Sequence, residues 1–390
     1  MARAAQALAW VRQGHALPDD ITTLGARNIS WPARSRAAVR DMTFRAVREM
    51  GRCQTILREL NKRPPHDAVM ALQIVALEQL INPLRDTHTI VDQAVQAARE
   101  RRSTRGATGL LNAVLRRFLR ERDALLANAA KDPVAQFNFP MWWIDCLRSE
   151  QPEQWESVLR TSNQPAPMTL RVNNRQISTA DYLSKLNAQN IDARVIGSSA
   201  VVLKAARDVH KSLELVAMDK DAQRLKRVAQ NLARLGLTHG AELIAADASD
   251  PASWPASLRA ARFDRILVDA PCTASGIVRR HPESRWLRRR RDIETLAAQQ
   301  LKILNGLWPA LKPGGKLLYA TCSVFAAEGV GVIDRFVGST ESARRLPLSA
   351  SIGASIGAAS PVEQIDQLLP VADGHRDHDG FFYALIERVT

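Results

Sequence analysis

Apolar residues recur at steps of three and four through the first third of the chain. Val39, Met42, Ala46, Met50, Cys53, Leu57 and Leu60 fall on one side of an amphipathic helix. Pro64-Pro65 stops it, and Asp67 can open a second helix that buries Leu72, Val75, Leu80 and Ile81. A third helix is predicted near 89–101. A fourth starts at about Thr108, with Leu111, Val114, Leu115, Phe118 and Leu119 on one side and Arg116, Arg117 and Arg120 interleaved. These helices make an all-α domain of about 130 residues, a normal size for a bundle. The pattern changes near Lys131-Asp132-Pro133, and 136–143 is aromatic and loop-like. Short apolar runs at 168–172, 193–196 and 201–204, with a helix near 179–187, suggest a small α+β connector over 131–205.

From 206 to 390 the rhythm is strand, helix, strand. An apolar run at 213–218 ends at Asp219, and a helix follows over 221–235, closed by Gly236. Strands at 242–245 and 263–268 end at Asp247 and Asp269. A long helix covers about 293–311, and Pro313-Gly314-Gly315 turns the chain into a strand at 316–320. This alternation predicts a parallel, doubly wound α/β sheet of the Rossmann-like kind, with ligands at the carboxyl ends of its strands. The Ser-, Ala- and Gly-rich stretch 338–370 has the composition of a flexible insertion, and 380–386 returns as a last strand. His375, His378 and Asp379 cluster before it. The spacing supplies no further ligand, so an exposed polar loop is expected there rather than a metal site.

Charge sharpens the picture. The formal net charge is +14, and 44 of the 54 basic residues are Arg. An Arg-dominated surface suits a polyanion such as nucleic acid, although a genome rich in Arg codons gives the same bias. No apolar run reaches the ~18 residues of a membrane helix. Cys53, Cys146, Cys272 and Cys322 form neither a C-x-x-C pair nor a zinc spacing. Together these features predict a cytoplasmic protein with free thiols, no resident metal and no membrane span.

The chemistry concentrates in two motifs. Asp269-Ala-Pro-Cys272 follows one strand directly, and Tyr319-Ala-Thr-Cys322-Ser323 follows another. Adjacent strand ends can bring two cysteines 50 residues apart in sequence to one cleft. Between them, Arg279 to Arg291 hold seven Arg in thirteen residues, with Trp286 among them. Such a run is either a solvated face or a phosphate strip with a stacking ring for single-stranded RNA. With Gly276-Ile-Val-Arg-Arg-His-Pro282, Leu111-Asn-Ala-Val-Leu-Arg-Arg117 and Asp379-Gly-Phe-Phe-Tyr-Ala384, these motifs resemble the Nop2/Sun group of RNA cytosine-5 methyltransferases, in particular those acting on 16S ribosomal RNA. The likeness covers nearly the whole chain.

The resemblance implies a NusB-like helical RNA-binding domain at 1–130, the connector, and a methyltransferase domain using S-adenosylmethionine. It makes Cys322 the nucleophile that adds to carbon 6 of cytosine. It gives Cys272 the release of product, and Asp269 the hydrogen bond to the base and a place beside the cofactor. Asp219 matches the acid that holds the cofactor ribose and Asp247 the residue beside its adenine. Taken alone, each of these two is as readily a helix cap or turn residue. Arg279, Arg280, Arg285, Trp286 and Arg288 are the expected RNA contacts, and the resemblance suggests a monomer acting on unassembled or partly assembled small-subunit RNA.

One piece of the family pattern is missing. Its members have a Gly-rich loop after the first strand of the sheet, whose backbone grips the methionine end of the cofactor. Here no glycine occurs between Gly197 and Gly236, and Val201–Lys204 is followed almost at once by the strand before Asp219. A strand–loop–helix unit needs ~30 residues or more and cannot fit. The join near His210-Lys211 therefore looks like a deletion. It predicts an incomplete sheet with unpaired edges, or strands that close up, and very weak cofactor binding. A methyltransferase by descent, an RNA-binding protein without catalysis, and a gene product lacking an internal segment all satisfy this pattern.

Overall fold

In the computed structural model, all residues are described except 19, 22–23, 25–31, 171, 173–175, 192–213, 239, 349–365 and 374–376. Two compact units result: Met1–Ala166 with Ile277–Asp292, and Pro167–Gly276 with Ile293–Thr390. The units divide the chain differently from the expected domains. Residues 131–166 and 277–292 both pack with the N-terminal helices.

The first unit is all helical: α1 (Ala2–Arg12), α2 (Ala33–Arg48), α3 (Met50–Leu60), α4 (Asp67–Ile81), α5 (Thr87–Arg99), α6 (Thr108–Ala129), α7 (Met141–Glu150) and α8 (Trp155–Asn163), with single turns between them. Helix α4 is its axis. It is apolar nearly all round, buries Val69 through Ile81 on most faces, and is surrounded by α1, α2, α3, α5 and α6. The apolar repeat from Val39 to Leu60 predicts one helix, but the chain forms two. Gly51 lies against Val134 O and Asn138, where a Cβ would meet Val134 O at 2.5 Å. The break at Glu49 frees the Arg52 N–H, which donates to Asn138 Oδ1 at 2.9 Å. The aromatic stretch expected as a loop is largely helical, because Pro140 sits at the N-cap of α7 and Trp143, Ile144 and Leu147 supply a buried face.

The second unit holds α9 (Thr179–Asn187), β1 (Leu215–Asp219), α10 (Ala222–Leu235), β2 (Ala241–Ala245), β3 (Phe263–Asp269), α11 (Arg290–Leu307, whose first turn belongs to the other unit), β4 (Leu311–Thr321), α12 (Val330–Ser339), β5 (Ala343–Leu346), three two-residue strands β6 (Gln367–Leu368), β7 (Val371–Ala372) and β8 (Asp377–His378), and β9 (Phe381–Arg388). Helix α10 starts on an Asp221 cap and ends at Gly236, in the left-handed region at φ 65, as the sequence requires. Pro313-Gly314-Gly315 does not separate helix from strand. It forms a bulge within β4, with Gly314 at φ 74. Strand β5 lies inside the stretch expected to be an insertion and pairs antiparallel with β9. The strand expected at 201–204 and the one at 193–196 lie outside the described residues, as do His375 and the join at 210–211.

The sheet is divided. Parallel β1 and β2 form a two-stranded ribbon, while β3, β4, β9 and β5 form a separate sheet in that order, with β6 also on β9. Among the described residues, nothing pairs with the free edge of β1 or of β3. Ile266 and Val268 face the core of α11, α12 and the neighbouring strands, but Leu267 on the opposite face of β3 is 60% exposed. A complete doubly wound sheet covers both faces. The ribbon still packs on the rest of the unit: Ile244, Ala246, Trp254 and Leu258 form a small core with Ala310, against which Val216 and Met218 of β1, Phe263 of β3 and Leu307 of α11 lie.

Candidate active site

Strands β3 and β4 are parallel neighbours in register, Asp269 opposite Ala320. Each chain leaves its strand at the same end, and the Ala270 N–H still donates to Ala320 O at 3.0 Å. Three residues later on one side and two on the other, Cys272 Sγ and Cys322 Sγ lie 3.3 Å apart. Cys272 is buried, and Cys322 is half-buried. The parallel pairing of two strands thus unites cysteines far apart in sequence.

The surrounding turns are fixed by a buried network. The Glu328 carboxylate accepts the Thr273 N–H (2.8 Å) and the Thr273 and Ser323 hydroxyls (2.5 and 2.7 Å), with Gln300 Nε2 at 3.4 Å. One carboxylate therefore holds the residue after each cysteine. Ser275 and Ser323 share a hydroxyl bond of 2.9 Å and accept the Val324 and Phe325 N–H groups. The turn puts Ala274 at φ 59, in the left-handed region, a cost of about 1–2 kcal/mol that the network offsets. Gly276 donates to Cys322 O and accepts from Gly380 N, both at 2.8 Å. A Cβ on Gly276 would stand 2.1 Å from Gly380 O, so this crossing of two backbones requires glycine.

The two thiols are driven apart electrically. Hydrogen bonding to Cys322, then burial, pushes the Cys272 thiol well above its ordinary value. The same hydrogen bond draws Cys322 below its ordinary value, against burial, Asp269 and Glu328. Of the two, Cys322 is the more acidic thiol and Cys272 the one that holds its proton more tightly. Desolvation raises the carboxyl of Asp269, with Arg224 opposing. Tyr383, opposite Ala320 on β9, stands in the field of both Asp269 and Cys322, and burial raises its hydroxyl.

The structure brings Asp269, Cys272 and Cys322 together. Asp219 and Asp247 end the strands of the separate ribbon. Asp219 Oδ1 accepts the Asp221 N–H at 2.8 Å, and Asp247 Oδ1 accepts the N–H and hydroxyl of Ser249 at 2.8 and 2.6 Å. Both serve as turn residues, and the Ser249 bonds hold the Asp247 carboxyl below its ordinary value. S-adenosylmethionine does not fit the described residues. The acids expected on its adenosine side are on a ribbon that shares no strand pairing with β3 among the described residues, and the glycine-rich backbone for its methionine end is absent from the sequence between 197 and 236.

The RNA strip needs correction. Arg285 is fully buried in the helical unit. Its guanidinium donates to Asn138 O (3.0 Å), Asn163 Oδ1 (2.8 Å) and Ser162 O (3.3 Å) and lies 4.0 Å from the Phe139 ring centre. Burial, then the charge of Arg48, lowers it to about 9. Arg279 is buried too, and its carbonyl accepts Arg48 Nη2 at 2.9 Å. Trp286 packs on the helical core and donates to Val47 O at 3.0 Å. All three anchor the segment; Arg279 and Arg285 are too buried to meet RNA, while Trp286 is half-buried. Arg280, Arg289, Arg290 and Arg291 are exposed and Arg288 half-buried. His378 Nδ1 lies 3.0 Å from Asp379 O, and the described residues contain no cluster of three potential metal ligands. Glu328 and Thr273 belong to no motif legible in the sequence, and Tyr383 lies in the Asp379–Ala384 motif without a role read from it there. The one visible signal is Glu328 itself, a lone acid six residues beyond Cys322 in an apolar stretch.

The chain is similar to known proteins over nearly its whole length. The sequence model of the NusB family matches residues 3–120, that of the RsmF/B-like ferredoxin-like domain 139–210, and that of the 16S rRNA methyltransferase RsmB/F 204–387. The chain is 36% identical to ribosomal RNA small subunit methyltransferase B of Pseudomonas putida, over 99% of this chain and 98% of that one, and 33% identical to that of Vibrio vulnificus, over 90% and 91%. The Pseudomonas alignment runs to 443 positions against 390 residues here, which leaves at least 53 without a counterpart in this chain. That is ample for one strand–loop–helix unit. The crystal structure of PH0851 shares the fold, with a TM-score of 0.72 at 18% identity, over 100% of this chain and 99% of that one. A NusB domain, a ferredoxin-like connector and a methyltransferase domain follow one another, and the chain belongs to the 16S rRNA methyltransferase RsmB/F family.

Proposed function

We propose that this chain acts on a cytosine of 16S ribosomal RNA through a covalent adduct on Cys322, the chemistry of an S-adenosylmethionine-dependent RNA cytosine-5 methyltransferase. The observation that carries this reading is the Cys272–Cys322 pair, 3.3 Å apart with Cys322 the more acidic thiol. Carbon 5 of cytosine is a poor nucleophile. Addition of the Cys322 thiolate to carbon 6 moves electron density onto carbon 5. Asp269, with its carboxyl held above the ordinary range, hydrogen-bonds the ring and stabilises the charge that develops there. With the donor bound, carbon 5 would take its methyl group and lose its proton to solvent, and re-formation of the double bond expels Cys322, a release that Cys272 beside it assists. The close pairing of Cys272 with Cys322 supports the adduct half of this chemistry.

The partner is small-subunit ribosomal RNA, free or partly assembled, engaged by a cytoplasmic monomer. Arg280 and Arg288, with the exposed Arg289–Arg291, supply phosphate contacts. Chain mixed with small-subunit RNA carrying 5-azacytosine forms a species that survives a denaturing gel, maps to a Cys322 peptide and disappears in Cys322→Ser. Salt-sensitive binding with no adduct is the result that assigns the chain to RNA binding alone.

A further inference from the structure

We infer that Tyr383 contacts the substrate, its hydroxyl donating a hydrogen bond to oxygen 2 of the target cytosine as Cys322 adds to the ring. The inference rests on the Cys322 adduct proposed above and deepens it.

The strand register builds the place. Asp269 on β3 lies opposite Ala320 on β4, and Ala320 lies opposite Tyr383 on β9. Residues in register across a sheet share a face. Val268, Tyr319, Phe382 and Ala384 are buried in the core on one side. Asp269, Ala320 and Tyr383 therefore form one row on the other side. Two strand spacings, about 10 Å, separate the outer two, and between them stands only the methyl group of Ala320. Cys322 follows Ala320 by two residues at the same end of β4. The result is a trough with alanine as its floor, a carboxyl on one wall and a phenol on the other.

The phenol is prepared for a ligand. Its ring stacks on Phe381, with centres 6.0 Å apart, and the side chain is half-buried. No described residue hydrogen-bonds its hydroxyl, whereas the Tyr319 hydroxyl on β4 is committed to Glu328 O at 2.9 Å. Burial, then the charges of Asp269 and Cys322, keep the Tyr383 proton in place, so the group stays a donor.

The thiols decide which part of the base it meets. Asp269 and Cys272 both belong to the end of β3, so the ring edge with carbons 4 and 5 faces that side. Oxygen 2 lies across the ring from carbon 5 and faces β9. Addition of the Cys322 thiolate to carbon 6 sends charge through carbon 5 and nitrogen 3 onto oxygen 2. A donor placed there acts on charge that develops only as the new bond forms. Tyr383 keeps its proton and makes no covalent bond.

The test compares the full chain with Tyr383→Phe, which removes only the hydroxyl and keeps the ring on Phe381. Each is mixed with saturating small-subunit RNA carrying 5-azacytosine, and the Cys322 adduct is followed on a denaturing gel. The variant forms it about 100-fold more slowly, the scale of one lost oxyanion donor. Its melting temperature and RNA affinity match the parent. RNA with pyrimidin-2-one in place of cytosine lacks the 4-amino group but keeps oxygen 2, and shows the same ratio of rates. A variant rate within about threefold of the parent overturns the role of Tyr383 and leaves the adduct reading standing. A slower rate that comes with weaker RNA binding or a lowered melting temperature overturns it as well. A penalty, or a parent adduct, that disappears on pyrimidin-2-one makes the amino group the partner and overturns the assignment to oxygen 2. No adduct in the parent on 5-azacytosine RNA overturns both readings.

Discussion

Glu328 is the side chain through which the two cysteine turns hold each other. Its carboxylate accepts three bonds of 2.8 Å or less, from the Thr273 N–H and from the Thr273 and Ser323 hydroxyls, in a fully buried position. Bonds to a charged acceptor contribute about 1.5–3 kcal/mol each, and stranding their buried donors costs about as much again. Glu328→Ala removes the acceptor and leaves a hole, so it should cost about 3–5 kcal/mol. In a unit of roughly 200 residues that lowers the melting temperature by about 10 °C. Glu328→Gln keeps the volume and one carbonyl acceptor, and should cost about 1–2 kcal/mol. A second effect separates electrostatics from packing. The Glu328 charge raises both thiols, so in Glu328→Gln the pH midpoint for iodoacetamide alkylation of Cys322 moves down. Calorimetric melting and the alkylation pH profile read the two effects. A melting temperature for Glu328→Ala within about 2 °C of the parent refutes the clamp, whatever the thiols do.

Further outcomes follow from the other residues. Arg285→Met loses three hydrogen bonds inside the helical unit and should destabilise it by about 3–5 kcal/mol, while the slope of RNA affinity against salt stays as in the parent. Arg280→Ala combined with Arg288→Ala should reduce that slope by about one for each phosphate no longer neutralised. Because the Cys272 thiol stabilises the Cys322 thiolate, Cys322 alkylation should titrate below the ordinary ~8.5, and Cys272→Ala should move that midpoint up. Titration calorimetry with S-adenosylmethionine should show no micromolar binding to this chain. A strand–loop–helix segment from a relative, inserted between His210 and Lys211, should restore it.

How much was legible depends on where the signal lay. The strand ends Asp219, Asp247 and Asp269 and the meeting of Cys272 with Cys322 follow from short apolar runs and one parallel pairing. The caps of α10 were equally plain, since Asp221 and Gly236 each suit one backbone state. The Arg run misled because charge alone does not distinguish a solvated Arg from one caged by carbonyl oxygens. Arg285 and Trp286 find their partners in Asn138, Asn163 and Val47, all more than a hundred residues away. The α2–α3 break was hidden for the same reason: a continuous apolar stripe says nothing about Asn138 approaching Arg52. Strand β5 was masked by its small, polar neighbours and forms because β9 offers it an edge.

The division of the sheet explains which half of the chemistry survives. The thiols and their hydrogen-bonded turns belong to the continuous part: β3 delivers Asp269 and Cys272, β4 delivers Cys322 and Ser323, β9 brings Tyr383, and Gly380 locks against Gly276, while Arg224 of α10 acts on Asp269 from the ribbon side. Each depends on a neighbour within that part, so the loss of one strand beyond β3 leaves their geometry intact. Asp219 and Asp247 depend on β1 and β2, which also pair with each other. What a strand between β1 and β3 would add is their alignment, together with cover for Leu267 on the open face of β3. A donor must touch both halves at once, whereas a cytosine needs only the thiol half. The chain should therefore add thiol to base readily and transfer methyl poorly. In the chain with the restored segment, methyl transfer should return while the 5-azacytosine adduct rate stays within about threefold, since a change that small is under 1 kcal/mol. An adduct rate that rises with the transfer rate would show that the thiol half had been damaged too.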